Sequence, residues 1–160
     1  DLNDSKQLTL KKRLALRAQI KRDAVAWSIG IVTPEEIDSI NILRASILAM
    51  HRALDGLAVR PEAIIVDGNR FTKYNDLPHT TIVKGDGKYQ SIAAASILAK
   101  TCRDDYMDAL AEEYPYYDWQ SNKGYPTKKH REGIRLHGVS PYHRKSYNLL
   151  GTGELELEFE

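Results

Sequence analysis

Ile64-Ile65-Val66-Asp67-Gly68-Asn69-Arg70 decides the fold class: a run of β-branched residues ends on a carboxylate, and two turn formers follow. An apolar run without alternation suits a strand covered on both faces, and Gly68-Asn69 closes it. Asp67 then lies at the carboxyl edge of a sheet, where α/β folds place their ligand sites. The arrangement recurs in His79-Thr80-Thr81-Ile82-Val83, followed by Lys84-Gly85-Asp86-Gly87. Two acidic strand ends so close in sequence can meet at one edge and share a divalent cation. Each Asp alone also reads as a turn starter, since Asp before Gly often opens a turn.

Outward from these strands the pattern is helical. Thr9 is an N-cap for a helix over about Thr9 to Ala24, with Leu16, Ile20 and Ala24 facing the core and Arg13, Arg17 and Lys21 on another face. Val25 to Val32 reads as a strand. Thr33-Pro34-Glu35-Glu36 is a helix start, with Thr as N-cap, Pro at N1 and Glu at N3 completing a capping box. A longer helix from about Asn41 to Asp55 ends at Gly56, and another runs from about Gln90 to Tyr114. Ala93-Ala94-Ala95-Ser96 lets that last helix pack tightly on a sheet. Strands alternating with helices give an α/β domain with a partly parallel sheet.

The chain of 160 residues suffices for one domain with a sizeable core. Its net charge of +1 hides segregation: residues 119–147 carry seven Lys or Arg against one acid, Glu132, with Tyr and His interleaved. The single Cys102 excludes an internal disulfide, suits a reducing cytosol and reads as a small packed hydrophobe. No apolar run approaches the ~18 residues of a membrane span, and no secretory signal occurs, so no membrane partner is expected. Two carboxylates without zinc-type Cys/His spacing favour Mg²⁺ or Mn²⁺. Kinase and serine-hydrolase readings lack their phosphate loop and nucleophile elbow. Lys and Arg neutralise phosphates and Tyr stacks on bases or sugars, which points to nucleic acid; an ordinary domain with a basic face stays open on composition alone.

Asp4-Ser5-Lys6-Gln7-Leu8, Val66-Asp67-Gly68-Asn69, Val83-Lys84-Gly85-Asp86, Ser91-Ile92-Ala93-Ala94-Ala95-Ser96-Ile97-Leu98-Ala99-Lys100, Arg103-Asp104 and Lys123-Gly124-Tyr125-Pro126-Thr127 appear in this order. Together they resemble bacterial ribonuclease HII, the type 2 ribonuclease H, over about Leu2 to Leu150. The resemblance implies a ribonuclease-H-like mixed sheet flanked by helices, with a helical, basic C-terminal part. One domain over residues 1–150 would include the substrate-binding segment 119–147, and 151–160 would form an acidic tail. The implied partners are RNA–DNA hybrids and duplex DNA with an embedded ribonucleotide. The implied activity is metal-assisted hydrolysis of the RNA strand or incision 5′ of that ribonucleotide, in the cytoplasm.

Position by position, Asp67 matches the family's third metal-binding carboxylate and Asp86 its fourth, for Mn²⁺ or Mg²⁺. Tyr125 matches the tyrosine that packs on the sugar of the deoxynucleotide after the ribonucleotide, and Lys123 lies in the same motif. Lys100 and Arg103 match basic positions where helix-surface packing is an equal alternative. Ser5 and Lys6 match a turn near the substrate backbone, although Gln7 stands where Lys is usual. Arg144 lies in the C-terminal basic segment. The family also carries a strand with Asp-Glu-x-Gly-Arg-Gly, which supplies two further carboxylates and does not occur in this sequence. Because the resemblance implies that strand and its two carboxylates just upstream of Asp1, residues 1–160 are expected to be a truncated view of a longer protein. The alternative is a catalytically dead hybrid-binding remnant. Glu154 to Glu160 alternates acid with apolar and faintly resembles peptides that dock on sliding clamps; an edge strand or a solvating tail is the plainer reading.

Overall fold

Helix starts written in the sequence are built as caps in the computed structural model, which describes residues 8–151. Ser5, Lys6 and the tail from Glu154 to Glu160 lie outside those residues. Thr9 caps α1 (Leu10–Asp23), its hydroxyl accepting from the Lys12 amide at 3.3 Å. Thr33 and Glu36 close a capping box on α2 (Pro34–Ile40), with bonds of 3.2 and 2.9 Å. Asn41 accepts from the Arg44 amide at the start of α3 (Ile42–Asp55). Each cap satisfies amides that the first helical turn leaves without partners.

The described residues divide into two units, 8–31 with 46–102 and 32–45 with 103–151. In the first, β1 (Ile64–Asp67) pairs in parallel with β2 (His79–Ile82), Ile64 opposite His79 and Asp67 opposite Ile82. The segment 68–78 between them is pinned to α3. The His51 ring nitrogen donates to the Thr72 carbonyl at 2.9 Å, and the Tyr74 hydroxyl donates to Asp55 at 2.6 Å. Ile64, Val66 and Leu77 form the core there, flanked by Met50, Leu54, Phe71 and Tyr74.

Three expectations change. β1 buries alternate residues only: Ile64 and Val66 are inside while Ile65 is 38% exposed, so among the described residues it is a one-faced strand despite its continuous apolar run. Val25 to Val32 pairs with no strand among the described residues. It lies instead against α3, where Arg52 donates to the Ile31 carbonyl at 2.7 Å and Gly30 approaches the helix backbone. β propensity marks a chain that accepts extension; a ladder also needs a partner. The stripe on α1 is only partly covered: Leu16 and Ile20 are half-buried and Ala24 is exposed.

α4 (Gln90–Glu113) runs from the first unit into the second. The second unit adds α5 (Trp119–Asn122) and α6 (Lys128–His137), the latter capped by Thr127. Its core is Met107, Leu110, Ala111, Tyr117, Trp119 and Ile134, with Tyr114, Tyr142, Leu149 and Leu150 against it. No described helix is long and apolar enough to cross a membrane.

A Cβ on Gly30 would lie 1.8 Å from the Ala49 carbonyl oxygen, and backbone cannot swing aside as a flexible side chain does. Gly30→Ala is expected to lower the urea midpoint by the equivalent of about 1–3 kcal/mol; an unchanged midpoint would show that the segment does not pack on α3.

Candidate active site

Beyond β2 the chain turns back toward the end of β1. Lys84 takes a left-handed conformation (φ 55°) and leads into a 3-10 turn over Gly85–Gly87. Asp67 Oδ1 accepts from the Gly85 amide at 2.9 Å, and the Gly68 amide donates to the Ile82 carbonyl at 2.9 Å. These bonds fasten the turn to the strand end and bring Asp67 and Asp86 to one edge of the sheet. Asp86 sits on the 3-10 turn, not on the last residue of the strand. Asp67 is exposed and Asp86 half-buried. Oxygen donors at a wet edge suit a hard cation, although no group of three or more acidic, His or Cys side chains suited to a metal occurs among the described residues. Lys100 lies half-buried on α4 in the same unit.

The second unit presents the basic and aromatic groups. Tyr125 is 67% exposed at the tip of a turn over 123–127. Buried Asn122 ties that turn: its Oδ1 accepts from the Gly124 amide at 2.9 Å, and its Nδ2 donates to the Tyr117 carbonyl at 2.7 Å. Gly124 has φ +93°, and a Cβ there would lie 3.2 Å from an Arg103 guanidinium nitrogen and 3.3 Å from Met107 Cε. Arg103 therefore passes beneath the turn that carries Tyr125. Burial of its guanidinium, then the charge of Arg144, holds Arg103 below its ordinary pKa. Arg144 lies over the Tyr147 ring, 3.9 Å from its centroid. Lys123 is paired with Asp108 rather than projecting alone.

Two anchors were not legible as such. Asp38, on α2, accepts from the Lys145 amide at 2.8 Å, the Ser146 amide at 3.0 Å and the Ser146 hydroxyl, and so fixes the basic segment around Arg144. The Ser146 hydroxyl and amide chiefly hold its carboxyl below the usual range. Nothing local marks a contact across 107 residues. His130 and His143 are 6% and 5% exposed, with their Nε2 atoms 3.0 Å apart. They occur in the sequence only as two of several interleaved histidines.

Burial pushes both imidazoles down, His143 to about 4, with His130 adding to the shift of His143. In the unfolded chain His titrates near 6.5, so between that value and about 4 the unfolded state binds more protons and stability falls as pH falls. Urea midpoints measured from pH 7 to pH 4 should decline across this window, and His143→Asn should flatten the decline; an equal slope in the variant would contradict the assignment. Asp38→Asn should speed hydrogen exchange at the Lys145 and Ser146 amides, read by mass spectrometry, with exchange in α4 unchanged.

The family model described as ribonuclease HII matches residues 1–150. A ribonuclease HII from Bacteroides thetaiotaomicron is 69% identical over 158 residues, 99% of this chain and 79% of that protein. One from Neisseria meningitidis serogroup C is 53% identical over 146 residues, 91% of this chain and 75% of that protein. The crystal structure of ribonuclease H2 from Pyrococcus horikoshii superposes with a TM-score of 0.77 at 26% identity, covering 93% of this chain and 78% of that one.

Proposed function

The chain belongs to the ribonuclease HII family, and from that membership we propose that Asp67 and Asp86 hold the divalent cation and Tyr125 reads the substrate. The activity is that of a ribonuclease H, a hydrolase cutting internally in the RNA strand of RNA–DNA hybrids, and the family depends on divalent metal. Mn²⁺ and Mg²⁺ are the ions that two carboxylates at a wet sheet edge suit best. The observation that carries the reading is the bond from the Gly85 amide to Asp67 Oδ1, which joins the two acidic segments.

A bound cation of this kind supplies a water of lowered pKa and offsets charge on the leaving 3′-oxygen. The protein's part is orientation. The Gly85 amide holds Oδ1 and so fixes the plane of the Asp67 carboxylate, leaving Oδ2 as the oxygen for a cation. Asp86 follows Gly85 directly, so the same bond limits where its carboxylate can go. Tyr125, exposed on a turn held by Asn122, offers a ring to the sugar after the ribonucleotide. A 2′-hydroxyl there changes the sugar's shape, which favours a cut 5′ of a single embedded ribonucleotide. Lys100, Arg103, Lys123 and Arg144, with Ser5 and Lys6, neutralise or position the backbone phosphates. A lone Cys102 fits a reducing cytoplasm.

Asp67→Asn keeps an acceptor for the Gly85 amide and removes the charge. Cleavage of a labelled hybrid with Mn²⁺ or Mg²⁺ should fall by more than the about 10–100-fold typical of losing an outer-sphere partner, with the melting temperature nearly unchanged. Parental activity in a folded variant would remove Asp67 from the site. Tyr125→Ala should weaken cleavage at a single embedded ribonucleotide by about 1–3 kcal/mol; equal rates on that duplex would remove Tyr125.

A further inference from the structure

Two buried histidines stand outside the chemistry described so far, and their partners fix which nitrogen carries each proton. The Ser140 amide can only donate, and it faces His143 Nδ1 at 2.9 Å, so Nδ1 is a bare acceptor and the proton of His143 sits on Nε2. That Nε2–H faces His130 Nε2 at 3.0 Å. The Trp119 indole N–H can also only donate, and it faces the same His130 Nε2 at 3.2 Å. His130 Nε2 must then be an acceptor, which leaves its proton on Nδ1, 2.9 Å from the Tyr125 carbonyl. One direction of donation therefore runs from the Ser140 amide through both rings to the Tyr125 backbone.

The pair completes a frame around that turn. The Tyr125 carbonyl also accepts from the Thr127 amide at 2.8 Å, and the Tyr125 amide donates to the Asn122 carbonyl at 3.0 Å. The Tyr125 ring is left exposed while its backbone is held from three sides. Adding a proton to either imidazole sets donor against donor, at Ser140 for His143 and at Trp119 and His143 for His130. The titratable and charged neighbours of the pair are Tyr117, whose ring lies 4.7 Å from that of His143, and Arg131, which follows His130. Arg131 opposes a second positive charge.

We propose that the His130–His143 pair consists of positioning residues for Tyr125: two neutral imidazoles in fixed tautomers hold the Tyr125 carbonyl and thereby aim its ring. This rests on the reading of Tyr125 as the substrate reader. It extends that reading to two side chains that need not touch substrate at all.

A double-mutant cycle on single-ribonucleotide duplexes tests the two layers separately. His130→Leu removes the donor to the Tyr125 carbonyl, whereas His130→Asn offers an amide N–H in its place. The expected result is that His130→Leu loses cleavage several-fold at single ribonucleotides and loses little more when Tyr125→Ala is added, while His130→Asn recovers most of the rate. If Tyr125→Ala alone has no effect, the substrate-reader assignment fails. If Tyr125→Ala has its effect and the His130→Leu loss multiplies with it, the positioning role is overturned and the pair is scaffold. Nitrogen-15 spectra of the parental imidazoles, without substrate or metal, give a reading that survives a variant that does not fold. His130 protonated on Nδ1 and His143 on Nε2 at pH 7, with Tyr125 signals moving when either ring titrates, supports the assignment; the opposite tautomers, or Tyr125 signals indifferent to that titration, overturn it.

Discussion

The hydrogen bond from the Gly85 amide to Asp67 is the constraint on which the acidic edge depends. A two-stranded parallel pair is short of ladder bonds, and its carboxyl end would fray without a further tie. Here the side chain at the last residue of β1 supplies that tie and collects the turn after β2. The same carboxylate that closes the structure is the one proposed to hold a cation. Under the proposed function, folding and chemistry would share this one group, with Oδ1 engaged by the backbone amide.

The second unit solves a different problem. It must hold an exposed aromatic ring on a turn without a sheet to brace it. The means is a buried polar cluster of Asn122, Trp119, His130, His143 and Ser140, packed among the rings of Tyr117 and Trp119. Buried polar groups are costly when unpaired. In this cluster each ring nitrogen of the two histidines has a partner. The Tyr125 backbone is held by hydrogen bonds from this cluster and its neighbours while the residue stays 67% exposed.

What could be read from the sequence was local in origin. Thr9, Thr33 with Glu36, and Asn41 act on amides within three residues, so their spacing alone is informative. The β1 run and the two acidic turns were legible for the same reason, as were the motifs that carry family membership. Burial was less so. Ile65 carries the same β-branched signal as Ile64, and only packing tells the exposed one from the buried one. Val25 to Val32 has strand propensity and, among the described residues, packs on a helix. The anchors Asp38 and His143 work across the fold, through a backbone or ring brought near by other elements, and no spacing rule reaches that far.

The approach of Arg103 to Arg144 has a thermodynamic side. After burial, the charge of Arg144 lowers the proton affinity of Arg103, and the folded unit carries the repulsion behind that part of the shift as electrostatic free energy. Under the proposed function, a polyanion settling between such charges would release it, so part of the affinity for phosphate backbones would come from relief within the protein itself. By mass action a ligand that binds only the folded form also raises its resistance to unfolding. Salt would act in two opposed ways on this arrangement: it screens the internal repulsion, which steadies the free protein, and it would weaken the proposed grip on the polyanion.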